Sequence, residues 1–105
     1  MDKENEPVTK HPPFDPKTAD QATIAALMTR FKDYRLPRAE RLLERMRKGE
    51  KLTGYDIYWL KAVHRDGVRS RPLVRRNPEY NDLIVRAIDL FTEIIELGVH
   101  NEQAP

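Results

Sequence analysis

Residues 77–99 read NPEYNDLIVRAIDLFTEIIELGV, and this stretch decides the fold class. Placed on a helical wheel, Tyr80, Leu83, Ile84, Ala87, Ile88, Leu90, Phe91, Ile94, Ile95 and Leu97 fill roughly half the circumference, too broad a face for a strand pattern and wider than an ordinary amphipathic stripe. Asn77, Pro78 and Glu79 supply an N-cap, a proline at the first helical position and an early acid that suits the helix dipole. Leu97-Gly98-Val99 spells a stop, with Val99 as the apolar partner of a Schellman-type cap. The spacing therefore predicts a helix over 78–97. A helix so broadly apolar either occupies the centre of a bundle or shares its face with another chain. Phe91→Ala is expected to cost about 3–5 kcal/mol if the ring is buried.

Three further helical segments precede it. Thr53 and Asp56 have capping-box spacing, and Leu52 and Ile57 stand at the positions of a hydrophobic staple around them. Trp59, Leu60 and Val63 continue the apolar face and Gly67 marks its end, which predicts a helix over 53–66. Ala39, Leu42, Leu43 and Met46 define an apolar stripe over 37–48, with Pro37 at its first turn and Gly49 as a C′ residue able to take positive φ. Ile24, Leu27, Met28, Phe31 and Tyr34 recur at helical spacing over 17–35. That helix begins within 15–20 and is expected to stop at Leu36-Pro37, because a residue before proline avoids the α region.

The expected architecture is all-α: a small four-helix assembly with helices about 17–35, 37–48, 53–66 and 78–97. Its first two connections are short, and a longer arginine-rich loop spans 65–76. No repeat and no alternating strand pattern interrupts this reading. Residues 1–14, MDKENEPVTKHPPF, are too polar and proline-rich to bury enough surface against their ordering entropy. They are expected to form a disordered tail that only Phe14 is equipped to pin, leaving 15–105 as one domain.

The chain of 105 residues contains no Cys, which excludes disulfide scaffolds, thiol nucleophiles, Cys-ligated zinc and iron–sulfur clusters. MDKENEP lacks the apolar core of a secretory signal, and charge interrupts every apolar stretch before it reaches membrane-spanning length. A soluble cytoplasmic domain with no membrane association is the expectation.

The charge balance of 19 Lys+Arg against 17 Asp+Glu conceals a bipolar chain. Residues 1–29 sum to −2, residues 30–76 to +9 and residues 77–105 to −5. Arg38, Arg41, Arg45 and Lys48 form a basic ridge beside the apolar stripe of 37–48. The 65–76 loop adds Arg65, Arg69, Arg71, Arg75 and Arg76 against the single acid Asp66. Arginine's planar fork suits bidentate contact with carboxylate or phosphate. Tyr58 points toward Lys61 and Arg65, a pairing of exposed aromatic and cation enriched at protein interfaces. Asp82, Asp89, Glu93 and Glu96 form an acidic ridge on the last helix, so the cations have potential partners within the chain itself.

No catalytic, cofactor-binding or metal-binding residues emerge. Glycine-rich phosphate loops, the G-x-S-x-G elbow and H-E-x-x-H are absent. His64-Arg65-Asp66 spells a kinase tripeptide by coincidence, since the chain is too short for a kinase and lacks the downstream Asn. His11, His64 and His100 are scattered, and His64 reads as a histidine at the edge of the core. A helix-turn-helix across Gly49-Glu50-Lys51-Leu52 has a suitable turn, but Asp56 and three aromatics make a poor recognition helix for a phosphate-lined groove. The expectation is a non-enzymatic helical interaction module with no cofactor. Its partner is a protein, with a second copy of itself through the last helix as one form. Nucleic-acid binding through the same arginines is the alternative.

Overall fold

The structure is a computed structural model that describes residues 15–105, so the predicted tail 1–14 with Phe14 lies outside the described residues. Three helical rods form the fold rather than four helices. Pro16–Arg30 is α-helical, Phe31–Arg35 continues it as one π-helical turn, and Leu36–Arg47 returns to α geometry, so residues 16–47 make one rod, α1. The second rod, α2, is Gly54–Arg75; a 3-10 turn at Pro78–Tyr80 leads into the third, α3, at Asn81–Gln103.

The expected break at Leu36-Pro37 does not occur. A proline inside a helix lacks an N–H and presses its ring against the carbonyl four residues back, here Asp33. The rod meets this by widening: the Leu36 N–H donates to the Phe31 carbonyl, five residues back. A π turn is a common way for a helix to absorb such an interruption without ending. At its start, the Asp15 carboxylate accepts from the Lys17 N–H and the Thr18 hydroxyl, a side-chain N-cap. At its other end Gly49 has φ +89, the left-handed conformation a C′ glycine permits.

The capping box at the start of α2 forms as its spacing predicts. The Asp56 N–H donates to the Thr53 hydroxyl at 3.1 Å, and the Thr53 N–H donates to the Asp56 carboxylate at 2.8 Å. The staple does not form as expected: Ile57 is exposed, while Leu52 turns toward the core. Nor does Gly67 stop the helix. It keeps helical φ, and α2 runs on through Gly67 and Pro72, so the residues expected as an arginine loop are helical almost to the end. Pro72 lies one turn from the C-terminus, where its missing N–H costs a single helical bond. Glycine costs only about 1 kcal/mol in a helix interior, and half-buried Leu73 and Val74 beyond it repay continuation.

Helix α3 differs from prediction at both ends. Asn77 does not cap it: this residue is buried and its amide donates back to the Leu73 carbonyl at 2.8 Å. Gly98 does not end it either, and Val99 makes no cap contact but stands exposed within the helix. Gly98 is needed for close approach, because a Cβ there would lie 2.5 Å from Leu52 Cδ1.

Contacts between side chains give the course of the rods. Arg45 meets Asp56, Arg38 meets Trp59, Arg35 meets Asp66 and Arg76 meets Asp20, so α2 runs antiparallel to α1. Asn101 near the end of α3 meets Met46 near the end of α1. Helix α3 begins after the Pro78–Tyr80 turn, next to Arg76, which is tied to Asp20 at the start of α1, so α3 returns parallel to α1. This side-by-side course is that of an αα-hairpin followed by a third helix, not the steep crossing of a helix-turn-helix. The core joins Ala39, Leu42, Leu43 and Met46 of α1 to Leu60 of α2 and Ile94 of α3, with Leu52, Trp59, Leu90, Phe91 and Leu97 packed against them. Tyr34, expected on the apolar stripe of the first helix, is 73% exposed instead. No helix is long and apolar enough to cross a membrane among the described residues.

Candidate partner-binding surfaces

The ten residues singled out by sequence separate into four settings. Arg38, Arg41 and Lys48 lie on one side of α1, at spacing that also brings Tyr34 into the row. Tyr58, Arg65 and Arg69 lie along α2, with Lys61 between them. The two rows flank the α1–α2 seam, and Tyr34, Tyr55 and Tyr58 are exposed among the cations. The Arg38 guanidinium stacks over Trp59, 4.6 Å from the ring centroid, and Trp59 in turn packs against Phe91 with ring centroids 5.8 Å apart.

Arg45 is not part of a ligand-facing ridge. Its guanidinium donates to both Asp56 carboxylate oxygens, at 3.1 and 3.0 Å, and to Glu50 at 2.9 Å. Those bonds, to Asp56 and then to Glu50, raise the Arg45 pKa above arginine's ordinary value. Burial pushes the Asp56 carboxyl up, but the bonds from Arg45 and the Thr53 cap outweigh it and hold the group below its ordinary value. This arginine locks the start of α2 onto the end of α1. Arg76 is likewise committed, donating to Asp20 at the far end of the seam, and that bond lowers the Asp20 pKa. Arg35, which the sequence did not single out, donates to Asp66 and lowers its pKa in the same way.

Arg71 and Arg75 lie next to the end of the α2 row. With Arg69 of that row they line a groove of about 770 Å³ between the rods, whose apolar lining includes Leu27, Phe31, Val63, Val74, Ile84 and Ile88. His64, expected at the core's edge, also lines it. The groove exists because α3 packs tightly on Leu36–Arg47, whereas Pro16–Arg30 meets the other rods sparsely.

The basic middle and the acidic end of the chain pair only in part. Arg47 donates to Glu93 at 2.9 Å and Lys51 lies 3.5 Å from Glu102. Asp82, Asp89 and Glu96 have no ion-pair partner among the described residues, and neither do Arg38, Arg41, Arg65, Arg69, Arg71 and Arg75. Exposed pairs of this kind contribute about 0–1 kcal/mol each, so they orient the rods more than they stabilise them.

Sequence reasoning missed Asn101, whose buried amide donates to the Met46 and Glu50 carbonyls, each at 2.8 Å, and so closes the end of α1. Nothing in its local pattern distinguishes it, because its partners lie more than fifty residues away. Among the described residues every buried side-chain polar atom has a partner, and no cluster of three or more His, Asp or Glu is arranged to hold a metal. No family model matches the chain, and no curated protein or solved structure shows significant similarity to it.

Proposed function

We propose that this chain is a non-enzymatic interaction module that docks an acidic protein partner on the outer face of the α1–α2 hairpin. The observation that carries the reading is the interleaving of exposed tyrosines with arginines that have no ion-pair partner among the described residues. Tyr34, Tyr55 and Tyr58 are 73%, 84% and 73% exposed, beside Arg38, Arg41, Lys61, Arg65 and Arg69. Tyrosine and arginine are the residue types that anchor protein interfaces, since each brings a large rigid surface with a polar end. The stack of Arg38 on Trp59 supports the reading further, because it pre-orders a guanidinium that remains at the surface.

Nucleic acid is the second reading. Cations tracking a surface with aromatics between them also describe a single-strand binding face. Fluorescence anisotropy with an acidic peptide, single-stranded RNA and duplex DNA, run between about 50 and 200 mM salt, separates the two. The protein-partner reading expects acidic-peptide binding that Tyr58→Ala and Arg65→Glu abolish. Nucleic-acid binding that persists at the higher salt and disappears in Arg38→Glu moves the assignment to the second reading. Binding to none of the three removes both.

A further inference from the structure

Helix α3 buries one face and leaves a second apolar face in solvent. Val85, Ile88, Thr92, Ile95 and Val99 follow one another at spacings of 3, 4, 3 and 4, the a/d repeat of a coiled coil. Val85, Ile88, Ile95 and Val99 are 55%, 58%, 48% and 51% exposed. The core side of the same helix, through Ala87, Ile94, Gly98 and Asn101, is already occupied. Scattered exposed apolar residues need no explanation, but a continuous β-branched row over four turns of one helix does.

The two flanks of this row carry opposite charge. On one side stand Asp82, Asp89 and Glu96, at heptad spacing and without ion-pair partners among the described residues. On the other side the row slopes into the groove through Ile88 and Ile95, and the far wall of the groove is α2 with Arg71 and Arg75. Because α2 and α3 run antiparallel from the turn at Pro78–Tyr80, these arginines stand level with the first half of α3, where Asp82 and Asp89 lie.

We infer that a second copy of this chain seats on this row, with the two α3 helices parallel about a two-fold axis. The orientation follows from charge. In a parallel pair each acidic flank falls against the partner's α2 wall, so carboxylates meet the arginines that lack internal partners. In an antiparallel pair the two acidic flanks would face each other across the seam, and like charges there are costly. Isologous packing also places an apolar row against an identical one, as a two-fold interface requires. The residues varied below are not among those of the outer α1–α2 face, so self-association and the partner binding proposed above are measured independently.

Light scattering after size exclusion tests the proposal directly: at high micromolar concentration the mass is expected to be twice 12.3 kDa, and a mass of one chain overturns it. Ile88→Asp with Ile95→Asp changes only exposed positions and is expected to weaken dimerisation about a hundredfold or more while circular dichroism stays helical. A dimer that survives this change overturns the proposal. Because the chain has no cysteine, Val85→Cys alone reports orientation. Parallel packing expects a spontaneous Val85→Cys homodisulfide. An antiparallel pair instead cross-links only when Val85→Cys and Val99→Cys chains are mixed, and that result overturns the arrangement. Charge reversal gives a second readout: Asp82→Arg with Asp89→Arg weakens the dimer, and adding Arg71→Asp with Arg75→Asp in the same chain restores it.

Discussion

At one end of the bundle, Ala39, Leu42 and Met46 of α1 close on Ile94 and Gly98 of α3 and on Leu60 of α2, and Asn101 and the Arg45–Asp56 clamp seal the edges. At the other end only Ile24 and Met28 of Pro16–Arg30 are buried, one Arg76–Asp20 pair ties the rods, and a groove remains between them. Both ends are built from similar residue types at similar spacing. The difference lies in the neighbours: at the first end side chains from three rods and a loop converge, and at the second the rods run beside one another without filling the space between them. Stability is therefore expected to concentrate at the closed end, with the open end available for binding.

Five substitutions test this contrast. The largest effect is expected for Ile94→Ala, which empties a fully buried site and should cost about 2–5 kcal/mol in urea unfolding; Ile88→Ala, on the exposed row, should change monomer stability by less than about 1 kcal/mol. Next, Asn101→Ala leaves the Met46 and Glu50 carbonyls without their donor and should cost about 1–3 kcal/mol. A glycine pair then gives opposite signs at the two ends. Gly98→Ala drives a Cβ into Leu52 and should destabilise by about 1–3 kcal/mol, less what is gained in helix propensity. Gly67→Ala meets nothing within 4 Å and should stabilise by about 0.5–1 kcal/mol. If both changes stabilise, the close approach of Leu52 to α3 is wrong.

The smallest expected effect is in acid. Asp56, Asp66 and Asp20 are each held below the ordinary carboxylate value in the folded chain. Such a group stabilises the fold fully above its unfolded pKa of about 3.9, and that contribution is lost as pH falls through the lower folded value. Asp56→Asn should therefore be more destabilising at neutral pH than near pH 2, by chemical denaturation at each pH. Asp20→Asn, whose pair with Arg76 is more exposed, should show a smaller dependence of the same sign. Equal pH dependence in the two variants would mean that the Arg45–Asp56 clamp carries no special weight.

Much of this was legible in the residues. The capping box at Thr53 and Asp56, the positive φ at Gly49, and the burial of Ala39, Leu42, Leu43 and Met46 all follow from local chemistry, because each involves neighbours within a turn or the periodicity of one helix. The stop signals were a different matter. Pro37, Gly67 and Gly98 each read as the end of a helix, yet the helix passes through all three. A stop signal states a local cost of about 1–3 kcal/mol. Whether it is obeyed depends on what the residues beyond it touch, and those contacts come from distant parts of the chain. The candidate surfaces were legible to the same degree. The arginines were found, but Arg45 and Arg76 proved committed to Asp56 and Asp20, and 65–76 proved helical almost throughout.

Local sequence was enough to show that this protein is helical, that α2 begins at the Thr53–Asp56 capping box and how charge divides along the chain, since periodicity, that cap and charge are properties of neighbouring residues. The tertiary structure alone decided that two predicted helices are one rod, that the basic and acidic segments pair only in part, and that α3 buries one apolar face and exposes another. Those outcomes depend on which rods lie side by side, and that is set by packing between residues far apart in the chain.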